Sequence, residues 1–166
     1  MAKAEQPDKL RCPVCGKPRP VADTNLLRAE ADWLATGAYD TRRAPGWSVE
    51  EARAGELQWA CNHCIRAGRA LEGHPAVQTW CDYNPYFAFI DAELRCEDCG
   101  QQFIFTATEQ QYWYETLKFW VQSRPKQCLQ CRRARRARSR AAREEQQRGQ
   151  QRQAEPNAAP DRGGTG

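Results

Sequence analysis

The sequence predicts a small α+β fold made of two tandem units, each a cysteine-bearing hairpin with helices, followed by a basic C-terminal helix and a disordered tail. Three observations lead to this expectation: four Cys-x-x-Cys pairs, a duplication of the sequence around them, and an uneven distribution of charge. The predicted segments are 8–72 for the first unit, 73–90 for an aromatic connector, 91–143 for the second unit and 144–166 for the tail.

The cysteine pairs predict two zinc sites. They use eight of the nine cysteines, and Zn²⁺ binds four thiolates tetrahedrally, with two ligands from each tight turn. A disulfide framework is disfavoured because two cysteines three positions apart bridge poorly, and a redox Cys-x-x-Cys site requires a βαβ pattern that the sequence lacks. The eight predicted ligands are Cys12, Cys15, Cys61, Cys64, Cys96, Cys99, Cys128 and Cys131.

An internal duplication indicates how the pairs combine. The motif Leu-Arg-Cys-x-x-Cys-Gly occurs at 10–16 and again at 94–100, whereas the second and fourth pairs each lead into a run rich in Ala and Arg. Each unit is therefore expected to close one zinc site with its own two pairs. The interior is 45 residues long in the first unit and 28 in the second, and the difference fits a loop insertion.

The neighbours of the pairs predict the local fold. Gly16 and Gly100 follow the last cysteine of each leading pair, where a left-handed turn lets backbone N–H groups point at sulfur. The β-prone run 101–106 can pair back on Leu94 and Arg95 as a hairpin, and the trailing pairs open helices. A hairpin knuckle facing a knuckle at a helix N-terminus is the treble-clef arrangement, and the helix dipole favours thiolate charge there.

A further helix is expected inside the second unit. Thr106-x-x-Glu109 is a capping box, from which a helix is predicted over 107–120. Trp113, Leu117 and Trp120 share one stripe of that helix. We expect these rings in the core rather than on a base-stacking platform, because a small zinc domain depends on a few large rings for its apolar area.

The first unit has two candidate helices of its own. One covers 25–36, and the other covers 49–57 behind a second capping box, Ser48-x-x-Glu51.

The second unit carries three motifs in order: Leu-Arg-Cys-x-x-Cys-Gly at 94–100, Phe-Thr-Ala-x-Glu-Gln at 105–110 and Pro-Lys-x-Cys-x-x-Cys-Arg at 125–132. With these motifs, residues 91–132 resemble the zinc-ribbon (treble-clef zinc-binding) domain family of bacterial proteins. The resemblance implies a zinc-binding treble clef and says little about biochemical role. The first unit lacks the Phe-Thr-Ala-x-Glu-Gln core, so only its zinc ligands carry over.

The connector is too apolar for a solvated linker, and we expect it to pack the two units together with Cys81 as a small buried residue. A role of Cys81 as a fifth ligand or redox sensor is the weaker alternative. His63 lies inside a knuckle and is expected to be exposed, whereas His74 has no nearby acidic or cysteine partner in the sequence. Neither histidine is predicted to be catalytic.

Positive charge is concentrated near the C-terminus. Residues 1–123 hold 13 Lys and Arg against 17 Asp and Glu, whereas residues 124–166 hold 12 against 4. Arg66 and Arg69 are predicted to offset the charge of the first zinc-thiolate site. The remaining excess suggests contact with nucleic acid phosphates, or with an acidic protein, through Arg132, Arg133, Arg135, Arg136, Arg138, Arg140 and Arg143.

These features favour a non-enzymatic zinc module that acts as an adaptor for nucleic acid, structured RNA or the ribosome in particular, or for a protein. Two other classes stay open: a zinc-thiolate redox sensor or holdase, and a treble-clef nuclease. A nuclease needs a His general base and further His or Asn ligands, and the chain has only two histidines. With no apolar spanning or targeting segment, and with reduced cysteines, the predicted location is the cytoplasm.

Overall fold

The computed structural model describes residues 8–36 and 45–154. Within these ranges, six short strands pair two by two as antiparallel ladders, each strand with one partner. The first unit contains, in order, β1 (Lys9–Arg11), β2 (Pro18–Pro20), α1 (Leu26–Ala35), α2 (Trp47–Ala54) and α3 (Asn62–Arg66). The strand β3 (Leu71–Glu72) lies at the end of the first unit, and β4 (Ala88–Phe89) lies in the connector. The second unit contains β5 (Ala92–Arg95), β6 (Gln102–Phe105), α4 (Ala107–Gln111) and α5 (Leu129–Ala154).

The core of the first unit is built on tryptophan rings. The centroid of Trp33 lies 5.8 Å from that of Trp47 and 5.1 Å from that of Trp80. Phe87 completes the cluster, 5.6 Å from Trp47. Because Trp80 and Phe87 come from the connector, the first core is complete only when the connector is folded onto it.

The start of α2 corrects one prediction. The helix begins at Trp47, two residues before the expected start, and the Ser48 side chain does not cap it. The buried carboxylate of Glu30, on α1, instead accepts hydrogen bonds from the backbone N–H groups of Gly46 and Ser48. The predicted Ser48-x-x-Glu51 capping box is therefore wrong, because a carboxylate from another helix caps the N-terminus of α2.

The connector packs against both units, as its apolar composition predicted. β4 pairs with β3, and the Gly73 N–H donates to the Phe87 carbonyl at 2.9 Å. Phe87 belongs to the first core, and the adjacent Phe89 belongs to the second. The expectation that Cys81 is buried is wrong, because its side chain is exposed.

The helix after β6 is shorter than the sequence predicted. The Thr106–Glu109 capping box is present, with both reciprocal hydrogen bonds. After α4, however, the chain forms one π-helical turn over Tyr112–Thr116 and leaves the helix at Lys118, which has a φ of 58°. The predicted continuation to Trp120 is therefore wrong.

The π turn also changes which rings are buried. A wider turn rotates the following residues off the face that they would share in an α-helix. Tyr114 is buried and contacts Tyr86, Phe89 and Phe105. Trp113 is half-buried, whereas Leu117 and Trp120 are exposed, so the predicted stripe does not form the core.

The C-terminal helix α5 extends further than expected. It covers 26 residues, from Leu129 to Ala154, and is about 39 Å long at the α-helical rise. The predicted disordered tail is thus wrong for 144–154, and 155–166 lie outside the described residues. None of the helices in the described ranges has the length and apolar character needed to cross a membrane.

Candidate metal centres and nucleic-acid interface

The two leading knuckles have the same backbone geometry. The N–H of Cys12 donates to Lys17, and that of Cys96 donates to Gln101, at 3.0 and 2.9 Å. Each hairpin then turns through a glycine with positive φ, +68° at Gly16 and +74° at Gly100. The duplication in the sequence is therefore also a structural duplication.

An arginine before each leading knuckle braces its turn. The guanidinium of Arg11 donates to the Gly16 carbonyl at 2.7 Å, and that of Arg95 donates to the Gly100 carbonyl at 2.8 Å. These bonds explain why the duplicated motif includes the arginine as well as the cysteines.

The trailing knuckles lie at helix N-termini, as predicted. Cys61 immediately precedes α3, and the N–H of Ile65 donates to its carbonyl at 3.2 Å. Cys128 precedes α5 in the same way, with the N–H of Arg132 donating to its carbonyl at 3.0 Å. Both helices thus direct their positive ends toward a group of sulfurs.

The eight cysteines form the two predicted clusters. In each cluster the four sulfurs lie within 4.8 Å of one another. In the first, the Cys12 and Cys64 sulfurs are 4.0 Å apart and those of Cys15 and Cys61 are 3.9 Å apart. In the second, the sulfurs of Cys99 and Cys128 are 3.9 Å apart.

These distances fit zinc. Four sulfurs at about 2.3 Å from a tetrahedral Zn²⁺ are separated by about 3.8 Å. A disulfide would instead bring two sulfurs to about 2.05 Å. Each cluster therefore fits one zinc ion held by four thiolates, and a zinc ion at this position would join the hairpin to the helix in each unit.

Two arginines lie near the sulfurs of the first cluster. Arg69 donates to the Cys64 sulfur at 3.4 Å, as expected from the sequence. Arg66 was expected to act in the same way, but it is exposed and makes no hydrogen bond to a sulfur among the described residues. Burial disfavours the charge of Arg19, but the sulfurs of Cys61 and Cys15 outweigh it, so the pKa of Arg19 is raised. Sequence reasoning missed Arg19 because β2, not the knuckle, positions it.

Without a cation, the sulfurs of each cluster have unequal proton affinities. In the first cluster a backbone N–H lowers the pKa of Cys15 to about 6, whereas burial raises the pKa of Cys64 to about 12. In the second, the Cys128 N–H lowers the pKa of Cys96 to about 6, and a hydrogen bond to the Cys128 sulfur raises the pKa of Cys131 to about 12. A bound dication would replace the retained protons.

The clusters differ in exposure. Three of the four cysteines of the first cluster are buried and Cys15 is half-buried. In the second cluster Cys99 is exposed and Cys131 is half-buried. Solvent, chelators and oxidants therefore reach the second cluster more readily than the first.

Neither histidine belongs to a cluster. His63 is exposed on α3, as predicted. His74 has an acidic partner that the sequence did not reveal: its Nδ1 lies 3.2 Å from the carboxylate of Glu115, which also accepts from the His74 backbone N–H. This contact joins the connector to the π turn of the second unit.

Most of the predicted arginines share one face of α5. At about 100° per residue, six of the seven fall within an arc of about 160°, and the same side chains line one shallow depression on the helix. Arg138 lies outside that arc. We call this surface the arginine face; it consists of Arg132, Arg133, Arg135, Arg136, Ser139, Arg140 and Arg143.

The arginine face projects into solvent. Every side chain from Arg133 to Gln153 is exposed. Within the described part of the chain, Arg132 alone among these arginines is held by the body of the second unit, half-buried with its guanidinium 3.9 Å from the carboxylate of Glu109. Five arginines of the face are therefore free to meet a partner.

Together, the hairpins, the helices and the sulfur clusters define a small mixed α/β zinc-binding protein. Residues 90–140 match the model of a family described as "Probable treble clef domain", which covers the second unit and the first part of α5. This match agrees with the resemblance noted from the sequence. Comparisons with curated proteins and with solved structures returned no match.

Proposed function

We propose that this protein is a non-enzymatic, zinc-stabilised cytoplasmic module that binds nucleic acid through the arginine face of α5. The observation that carries the proposal is the exposure of five arginines along one side of a helix that stands clear of the body. Lys and Arg side chains that neutralise phosphates supply most of the sequence-independent affinity for nucleic acids. In this proposal the zinc sites are structural and fix the start of α5 at Cys128.

The charge distribution supports the same surface. Residues 1–123 carry a net charge of −4, from 13 basic and 17 acidic residues. The body is thus repelled by phosphates, whereas the helix is attracted to them. Nucleic acid is expected to contact α5 and to remain away from the two zinc units.

The test is a comparison of two variants that lose the same charge. Each variant replaces three arginines of α5 by alanine, the residue with the highest helix propensity, so that the helix is preserved. One removes charge from the arginine face and the other from the remaining surface of the helix. The variants are Arg136→Ala, Arg140→Ala, Arg143→Ala and, as the matched control, Arg138→Ala, Arg148→Ala, Arg152→Ala.

Fluorescence anisotropy with labelled oligonucleotides, measured from low to moderate salt, distinguishes them. Three lost phosphate contacts should reduce the slope of log K against log salt by about 2 to 3, and should weaken binding about 10² to 10³-fold at 0.1 M salt. The control variant should keep most of the wild-type slope of log K against log salt. Equal losses in both variants would show that net charge alone drives binding, which contradicts a specific face.

Two other results would overturn the proposal. Unchanged binding in both variants would direct attention to the exposed aromatic side chains Tyr112, Phe119 and Trp120. No binding of the full chain to any oligonucleotide at low salt would favour an acidic protein as the partner of α5.

A redox function is the second candidate, and the exposure of Cys99 favours it. Hydrogen peroxide can oxidise two zinc-bound thiolates to one disulfide: one peroxide and two protons are consumed, two waters form, and the zinc ion loses two ligands and is released. If this is the function, low peroxide should release one zinc per chain from the second cluster, and a reductant with added zinc should restore it. If both zinc ions were released only at peroxide concentrations that unfold the protein, a function as a redox sensor would be excluded.

A further inference from the structure

The geometry of α5 points to duplex DNA as its ligand, and we propose that the helix enters the major groove with the arginine face toward the bases. This inference rests on the proposed nucleic-acid function and names the substrate class. The sequence suggested structured RNA as the ligand. The length of α5 and the exposure of its side chains favour duplex DNA instead.

Glutamines extend the arginine face along the second half of the helix. At about 100° per residue, the five glutamines between 146 and 153 all fall within the arc occupied by the arginine face. Glu144 and Glu145 fall outside this arc, and so do Ala134, Ala137 and Ala141. One side of α5 is therefore lined by Arg and Gln, with Ser139 among them, whereas Glu145 lies on the opposite side and Glu144 lies beside the edge of the arc.

Arg and Gln are side chains that read base edges in the major groove. Arginine donates two hydrogen bonds to O6 and N7 of guanine, and glutamine pairs with N6 and N7 of adenine. Arginines also lie on the opposite side of α5, at 138, 148 and 152, so it is the glutamines of 146–153 that are confined to one side. A solubilising surface does not require that confinement, and a purely phosphate-binding surface needs no glutamine. The arc of Arg and Gln thus fits base contact along its centre and phosphate contact along its edges.

The dimensions of the helix favour B-form DNA over RNA. An α-helix with side chains is about 10–12 Å wide, and the major groove of B-DNA is about 12 Å wide. The major groove of A-form RNA is deep and too narrow for side chains to read. Every side chain from Arg133 to Gln153 is exposed, so this stretch is accessible to a ligand.

The experiment compares three probes of matched sequence with the zinc-loaded full chain: a duplex DNA of about two turns, the corresponding RNA duplex, and one DNA strand. We expect the duplex DNA to bind at least tenfold more tightly than either other probe. If all five free arginines neutralised phosphates, the salt slope would be about −4.5 on the duplex and about −3.5 on the single strand, and arginines that contact bases make it shallower than these limits.

Methylation protection identifies the groove. Dimethyl sulfate attacks N7 of guanine in the major groove and N3 of adenine in the minor groove, so binding should protect N7 and leave N3 reactive. Preferred binding to either RNA duplex or single strand, or protection of N3, would overturn this inference while leaving the nucleic-acid function in place. Absence of binding to all three probes would overturn both.

A glutamine variant separates base reading from electrostatic attraction, because glutamine carries no charge. Gln147→Ala with Gln150→Ala should lower affinity for a duplex selected by the wild-type chain by roughly tenfold or more, with an unchanged salt slope. Gln130→Ala, on the other side of α5, is the control and should bind like the wild type. A double variant that binds the selected duplex as tightly as the wild type would contradict major-groove reading.

Discussion

Replacing Gly73 by alanine tests how tightly the two ends of the connector pack against each other. A Cβ atom at Gly73 would lie 2.3 Å from the backbone oxygen of Tyr86 and 3.0 Å from its carbonyl carbon. Both distances are well inside van der Waals contact, and backbone atoms cannot rotate away as a side chain can. Accommodating the methyl group therefore requires the chain at Gly73 to separate from 86–87.

The cost follows from what that separation disrupts. Overpacking of a well-packed site costs about 1–3 kcal/mol, and losing the Gly73 N–H bond to Phe87 adds about 0.5–1.5 kcal/mol. We expect a loss of about 2–4 kcal/mol in the free energy of unfolding. At about 2–4 °C per kcal/mol for a protein of this size, Tm should fall by about 4–16 °C.

Thermal unfolding followed by tryptophan fluorescence provides the measurement, since Trp33, Trp47 and Trp80 lie in the first core. Mass spectrometry should first confirm equal zinc content, because a lost ligand would itself change Tm. Gly149→Ala is the matched control: it lies in α5 with open space around it and should stabilise the helix by about 0.5–1 kcal/mol. A Tm of Gly73→Ala within about 1 °C of the wild type would refute the packing argument.

Three further predictions concern zinc. Native mass spectrometry should find two zinc ions per wild-type chain and two in Cys81→Ser. It should find one in Cys96→Ser, because this substitution removes a ligand of the second cluster. One zinc ion in the wild type would contradict the assignment of two four-cysteine sites. A chelator titration should remove the second ion before the first, because Cys99 is exposed, and simultaneous loss would show that exposure does not control access. Zinc uptake at pH 7 should release at least two protons per chain, because the pKa values of Cys64 and Cys131 are raised to about 12 and both thiols are protonated there. The affinity for zinc should thus rise with pH from 7 to 9. Calorimetry of zinc binding in buffers of different ionisation enthalpy measures the number of protons released. Zinc uptake without proton release would exclude these pKa values.

The sequence alone determined the zinc ligands and the local structure around them. Two cysteines three positions apart reach the same ion from one turn, so the spacing identified the ligands, and the duplication paired them. The Thr106–Glu109 capping box was equally local and is present in the structure. The arginine segment was visible as composition, and its helical register followed once a helix was assumed.

Tertiary structure decided the features that depend on residues distant in the chain. Glu30 caps α2 from a neighbouring helix, Arg19 reaches the first cluster from β2, and the π turn buries Tyr114 rather than the predicted stripe. No local pattern encodes these, because each depends on which surfaces meet after the chain folds. The extent of α5 was underestimated because its Gln-rich second half has a composition typical of disorder, whereas in the structure it continues a helix that begins at a zinc knuckle. Once that first turn is fixed, each added residue contributes a backbone hydrogen bond without a new nucleation cost, so local propensity is sufficient to extend the helix.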